Sequence, residues 1–324
     1  MSPPHMHDEE LMRFEVLCAG EAMVMLTDVD PTGPPLSSTL SVHVGGAEAN
    51  VARHLSAQGV ATAWMSRVGD DPFGQRVMTV LEADGVDTSI VAVDRAAPTG
   101  IYYKERAAGG GARSHYYRSG SAASRLSAED ARTVQLGPGL IVHTSGVLAA
   151  VSDTTAEFVD ALFVEADRFG ATISFDVNFR RQLWGDRDAA GALLALAQRA
   201  DIVLVGRDEA EALWGVPSVD DIIGLLSEPT IVVVKDGDVS AVEVDRRADE
   251  PRVTTVKPAP VDVVELVGAG DAFAGGYLAG LLRGEDAPSR LNRGHRAAAW
   301  TIGGVDDVRP GHRPKPFARQ ESTK

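Results

Sequence analysis

An α/β fold is predicted, with a doubly wound, mostly parallel sheet, helices on both of its faces, and a small β-sheet lid. Three observations predict it. Short apolar runs such as Thr-Ile-Val-Val-Val-Lys at 230–235 show no polar alternation, as strands buried on both faces do. Helix-patterned segments with start and stop signals separate these runs. Two stretches, 22–44 and 99–118, alternate apolar and polar residues without an intervening helix, as a half-exposed antiparallel lid would.

Taken in order, residues 16–20 read as a first buried strand and 47–58 as a helix stopped by Gly59. A strand at 62–67 follows, then a helix at 72–83 with Pro72 in its first turn and Gly85 past its end. Further on come strands at 140–144, 172–176 and 201–205, alternating with helices at 154–168, 187–199 and 208–214. The Val/Ile strand at 230–235 has 240–245 as its hairpin partner. One domain is expected over 14–308, with lid strands from about 22–44 and 99–118. Residues 1–13 read as a polar leader and 309–324 as a basic, proline-rich tail, both flexible.

Composition narrows the function. Lys and Arg number 31 against 46 Asp and Glu, a net charge of −15, which argues against nucleic-acid or anionic-membrane partners. The single cysteine, Cys18, excludes an internal disulfide and a cysteine zinc cage. No apolar run is long enough to span a bilayer, so a cytoplasmic protein is expected. His43, His54, His115, His143 and His295 lie on separate elements without the spacing of a metal pair.

The chemistry concentrates where 261–284 (VDVVELVGAGDAFAGGYLAGLLRG) passes from a β-like entry through Gly268-Ala269-Gly270-Asp271 into a helix. Glycines at a helix start let main-chain N–H groups converge, and the helix dipole adds positive potential, which makes an anion site. Asp271 beside it suits a hydroxyl that must lose a proton while a neighbouring phosphoryl group gains charge. A plain reading, in which Asp271 caps the helix and the small residues allow close packing, explains the tetrapeptide equally well. A second glycine-led helix start, Gly45-Gly46-Ala47-Glu48-Ala49-Asn50, supplies one site per substrate of a two-substrate transfer. Walker A, a protein-kinase catalytic loop, H-E-x-x-H and G-x-S-x-G are all absent.

These residues resemble the ribokinase-like (PfkB) carbohydrate kinases. The likeness rests on Gly45–Asn50, on Val68-Gly69-Asp70-Asp71-x-Phe73-Gly74, and most specifically on Gly268–Asp271, and it spans nearly the whole chain. It implies Asp271 as general base, the amides of Gly268, Ala269 and Gly270 as anion hole, ATP as co-substrate and Mg²⁺. It also leaves a place for a monovalent cation. Tyr102-Tyr103-Lys104 and Tyr116-Tyr117-Arg118, with Asp176-x-Asn178-x-Arg180, look most like the 2-keto-3-deoxygluconate kinase branch.

The sugar acid is then expected under the lid, held by Gly45, Gly46, Asn50, Tyr102, Tyr116, Arg118 and Arg180 beside Asp271. Arg118 would meet its carboxylate, and Arg180 would stabilise transferred charge. The nucleotide is assigned Asn178, Lys235, Gly237, Gly268, Gly270 and His295, and Glu209 would organise the metal through water. Four departures from the family pattern stand out: Gly206 where Asn is usual, Glu265 and Leu266 where Asp and Thr are usual, and His295 where the last helix usually carries a nucleotide-side Asn. The rivals are a kinase of a neutral sugar, of fructokinase or ribokinase type, and a non-catalytic paralogue that binds sugar or nucleotide. Pairing of two copies through the lid edge is expected.

Overall fold

Residues 13–29, 38–106 and 112–303 are described by the computed structural model. Most of the leader, the middles of both lid segments (30–37 and 107–111) and everything from 304, including the tail, lie outside the described residues.

The chain starts with β1 (Val16–Ala19), then enters the lid with β2 (Met23–Asp28) and β3 (Leu40–Gly45). It returns through α1 (Ala47–Ala57) to β4 (Thr62–Met65), followed by β5 (Arg67–Gly69), α2 (Pro72–Ala83) and β6 (Ala92–Asp94). The strand expected at 62–67 is therefore two, interrupted at Ser66: β4 joins the main sheet and β5 pairs with β6. A second excursion makes β7 (Ile101–Arg106) and β8 (Ala112–Tyr117), and the short α3 (Ala128–Ala131) leads back to the sheet.

The regular βα alternation follows: β9 (Ile141–Ser145), α4 (Gly146–Val151), α5 (Asp153–Phe169), β10 (Thr172–Asp176), α6 (Arg181–Trp184) and α7 (Ala189–Ala197). The helix expected over 187–199 is shorter because Asp188 caps it, accepting from the Gly191 N–H. After β11 (Ile202–Gly206), α8 (Arg207–Trp214) and α9 (Val219–Leu225) comes a meander of β12 (Ile231–Asp236), β13 (Ser240–Asp245) and β14 (Arg252–Val256). Helices α10 (Ala269–Leu282) and α11 (Ala287–Ile302) close the fold.

The main sheet runs β14-β13-β12-β11-β10-β9-β1-β4, parallel from β12 to β4 and antiparallel at the β13 and β14 edge. Its strands divide their side chains between two cores at the period of two that a pleated strand imposes. Leu17, Val203 and Val205 face Phe158, Phe163 and Leu193, whereas Cys18, Leu204 and Val233 face Leu55, Phe273 and Tyr277. Burying each such large apolar side chain contributes about 1.5–3 kcal/mol.

The lid sheet runs β3-β2-β7-β8 and is mixed rather than antiparallel: β2 and β7 run parallel. The reason is connectivity, because α1, β4, β5, α2 and β6 intervene between them, a crossover long enough to bring the chain back in the same direction. Asp71 roots this lid. It caps α2 by accepting from the Gly74 N–H, and its other oxygen accepts from the Thr99 N–H just before β7. Burial alone would raise this carboxyl, but these N–H donors outweigh it and hold it below its ordinary value.

Candidate active site

Chain order turns at β1. From there the sheet grows one way to β4 and the other way to β9, so a crevice opens beyond the carboxyl ends of those neighbours. The two glycine-led helices both begin there. Gly46 precedes α1 and packs so tightly on Glu21 that a Cβ there would collide with the Glu21 carbonyl oxygen. Gly268 precedes α10 at φ 83°, a left-handed conformation that side chains resist. Asp271 is the third residue of α10, and Asn50 lies in the first turn of α1. The two meet: Asn50 Nδ2 donates to Asp271 Oδ2 at 2.9 Å across 221 residues of sequence.

Lys235, at the end of β12, belongs to the same corner. Its ammonium donates to Asp176 Oδ1 at 3.1 Å and Oδ2 at 2.8 Å, and stands 3.6 Å from where a Gly270 Cβ would be. Its side chain is only 18% exposed. Burial alone would lower it, but Asp176 and Glu209 outweigh that and keep it charged above its ordinary range. The Lys235 side chain, assigned to the nucleotide from the sequence, thus ends close to Gly270 at the start of α10.

Glu209 accepts from the Phe179 N–H through Oε1 and from the Gly206 N–H through Oε2. Burial pushes its carboxyl up, partly offset by Lys235. Asn178 sits between these elements at φ 35°, buried, with its Oδ1 unpartnered. Backbone strain of this kind at a polar, unsatisfied residue marks a place shaped for a ligand. Arg180 is exposed, just before α6, and close enough to Glu209 to lower its carboxyl. Among the described residues no group of three or more His, Cys, Asp or Glu side chains could hold a metal by itself. The Glu209 carboxylate and the unpartnered Asn178 amide oxygen are hard oxygen donors of the kind that suit Mg²⁺, an ion that keeps most of its water.

On the lid, Tyr102 is buried against Met23 and Met25, and its ring lies 5.4 Å from that of the half-exposed Tyr116. Arg118 follows β8, with its guanidinium over the Tyr116 ring and its charge paired with Glu21. Ser121 Oγ donates to the other Glu21 oxygen at 2.7 Å. The lid cation that the sequence assigns to a substrate carboxylate is thus paired with a buried carboxylate of the protein. Two further residues assigned to the nucleotide have contacts within the protein. Gly237 occupies the β12–β13 turn at φ 50°, and His295 on α11 meets the Val256 carbonyl at 3.2 Å and the edge of Phe273. Gly45 ends β3 in register with Met23.

Glu48 is the group that the sequence reading passed over, although it lies inside the Gly45–Asn50 stretch. An acidic residue in a first helical turn normally faces water, and nothing in the spacing distinguishes this one. It is buried, accepts from Ser145 Oγ at 2.6 Å, and leaves Oε2 unpartnered. Burial raises its pKa to about 7, with Asp271 adding a smaller push in the same direction. Below about pH 7 Glu48 is mostly neutral, which keeps a second negative charge away from Asp271. The folded state therefore holds a proton that the unfolded chain has released, and stability falls as pH rises from about 4.5 through 7. The loss totals on the order of 3 kcal/mol. Glu48→Gln removes that slope. The urea midpoint of the variant should gain on the wild type steadily across this window, and a constant difference would refute a protonated Glu48.

The chain matches the model described as pfkB family carbohydrate kinase over residues 13–309. It is similar to a 2-dehydro-3-deoxygluconokinase of Thermoproteus tenax, with 32% identity over 90% of this chain and 89% of that protein. A 2-dehydro-3-deoxygalactonokinase of Haloferax volcanii is 31% identical over 89% of this chain and 91% of its own length. Among solved structures, a PfkB protein from Polaromonas sp. JS666 superposes with a TM-score of 0.79 at 29% identity, covering 91% of this chain and 98% of that one.

Proposed function

The chain belongs to the pfkB family of carbohydrate kinases, and from that premise we propose that it phosphorylates the primary hydroxyl of 2-keto-3-deoxygluconate, the same compound as 2-dehydro-3-deoxygluconate. It is an ATP-dependent sugar kinase, a phosphotransferase acting on a sugar hydroxyl. The observation that carries the reading is the Asn50–Asp271 hydrogen bond at the amino end of α10, beside the left-handed Gly268.

In this reading Asp271 Oδ1 or Oδ2 takes the hydroxyl proton as the oxygen attacks the γ-phosphorus in line. Asn50 holds the carboxylate toward the sugar. The N–H groups that open α10 and the Lys235 ammonium meet the charge that develops on the transferred group. Glu209 and Asn178 would hold the water shell of a Mg²⁺ ion, which when bound would supply neutralisation of the phosphate charge. Tyr102 and Tyr116 cover the sugar acid, and Arg118 and Arg180 face its carboxylate or the phosphates. The outer lid strand β8, an open sheet edge, is the surface through which a second copy would pair.

The test is a panel of sugar acids and neutral sugars, each with ATP and Mg²⁺, read as ADP release. ADP should appear with 2-keto-3-deoxygluconate and its galactonate epimer, and ADP release only with neutral sugars would reverse the assignment. A neutral-sugar kinase is the second reading, favoured by the Glu21 carboxylate that already pairs with Arg118. Arg118→Ala in a Glu21→Gln background decides between them without stranding a buried charge. If Arg118 reads a carboxylate, KM for sugar acids rises about 10–100-fold while KM for neutral sugars barely moves, as loss of a hydrogen bond to a charged group implies. An equal change for both classes favours the neutral-sugar reading.

A further inference from the structure

Lys104 projects from lid strand β7 yet ends far along the chain, with its ammonium 3.3 Å from Glu265 Oε2. Neither partner is a casual surface charge. The Lys104 side chain is 4% exposed and that of Glu265 17%. Glu265 stands three residues before Gly268, in the segment that delivers the chain into the anion-hole turn. Its other oxygen, Oε1, accepts from the Val267 N–H at 3.3 Å, so the carboxylate also holds the main chain at the start of the turn. The same segment is tied on its far side to the last helix, where the Val264 and Glu265 N–H groups donate to the Ile302 carbonyl at 2.8 and 3.1 Å. Around these ties the segment is otherwise open: Val263, Val264 and Leu266 are each more than half exposed. The turn that aims the Gly268–Gly270 amides thus lacks a packed core of its own, and its position depends on few bonds.

We propose that Lys104 and Glu265 form a tie between the lid and the anion-hole turn, making Lys104 a positioning residue for the transfer reaction. The inference rests on the kinase reading above for its functional consequence, but not for its structural one. With the lid in place, the ammonium holds the Glu265 carboxylate, and the carboxylate holds the Val267 N–H, so the amides that follow stay aimed. Without the ammonium, the turn keeps, among the described residues, its bonds to Ile302 and the Val267 bond to a Glu265 carboxylate that the lid no longer holds.

Two measurements test it. Hydrogen exchange of a peptide covering 264–270 reads the tie directly. In Lys104→Met the exchange should speed up about tenfold, Lys104→Arg should restore it, and the thermal midpoint should move by no more than a few degrees. Unchanged exchange in Lys104→Met overturns the tie. Turnover reads the consequence. Lys104→Met, Glu265→Gln and the double variant should each lose kcat by a similar factor of about ten, with KM for ATP little changed, because the two side chains act as one unit. Losses that multiply in the double variant, or no loss at all, overturn the proposal. Asp271→Asn in the same series separates the two readings. If it keeps wild-type turnover, the kinase site is misassigned, while the exchange result still decides whether the tie exists.

Discussion

Asp271→Asn lowers kcat for sugar phosphorylation by about 10²–10⁴, the usual worth of a general base that transfers a proton in the transition state. ATP and sugar should bind with little change, because the amide is isosteric and the α10 N–H groups are untouched. Kinetically this is a fall in kcat with KM preserved, the signature of an interaction made only as charge develops. The structure adds a condition. Asn50 Nδ2 donates to Asp271 Oδ2, and an Asn at 271 can still accept that bond through its carbonyl. The variant therefore keeps the geometry and loses only basicity. Asn50→Ala is the complement: it keeps basicity and releases the carboxylate. Retention of more than about a tenth of wild-type kcat by Asp271→Asn, measured by ADP release, would remove proton transfer by this residue from the mechanism.

Local signals carried most of the secondary structure. The helix at Pro72–Ala83 and the strands at Thr172–Asp176 and Ser240–Asp245 fall where proline entry, β-branched runs and turn residues put them. The lid stood out because its alternation differs from that of the sheet. Its pairing did not, since whether β2 meets β7 parallel or antiparallel depends on the path of the intervening chain. The third strand of the meander, β14, was missed as well. It is an edge strand with mostly exposed residues, whose apolar pattern is correspondingly weak.

At the site, glycine-rich helix starts are legible because backbone geometry restricts which residues can stand there. Charge partners are not, because they are set by tertiary proximity. Arg118 was readable as a lid cation, but its pairing with Glu21 could not be read from two positions 97 apart. Lys235 was readable as a strand-end lysine, but its reach to Asp176 and the Gly270 backbone needed the sheet order. Glu48 illustrates the same gap from the other side. Its neighbours in the stretch, Gly46 and Asn50, are the recognisable residues, whereas its burial follows from how α1 docks over the end of β1. There, a Cβ on Gly20 would collide with the Glu48 carboxylate.

The helix that presents Asp271 is itself anchored by charge. On the second core face, Glu243 of β13 is fully buried and accepts from Arg290 Nε at 2.7 Å and from the Tyr277 hydroxyl at 2.8 Å, joining α10 and α11 to the sheet edge. Burial alone would lower the Arg290 guanidinium, but Glu243 holds it above its ordinary value. Arg290→Met leaves that carboxylate buried without a counter-charge, and the expected cost is about 3–5 kcal/mol. In a chain of this size the thermal midpoint should drop by roughly 10 °C. Asp245, the second carboxylate near Arg290, is not stranded, because Arg247 grips it through both oxygens at 2.9 and 2.6 Å. Removing the whole buried set, with Glu243→Leu and Tyr277→Phe added to Arg290→Met, should recover most of the loss, since no polar group remains to be satisfied. Calorimetry decides the matter. A single variant that melts within about 2 °C of the wild type would mean that apolar packing between α10 and α11 carries the anchor alone. In that packing Gly276 already brings the helices so close that a Cβ would stand 2.8 Å from the Arg293 carbonyl. Because the cluster lies in the body of α10 and not at its amino end, kcat at 25 °C should stay within twofold in every one of these variants.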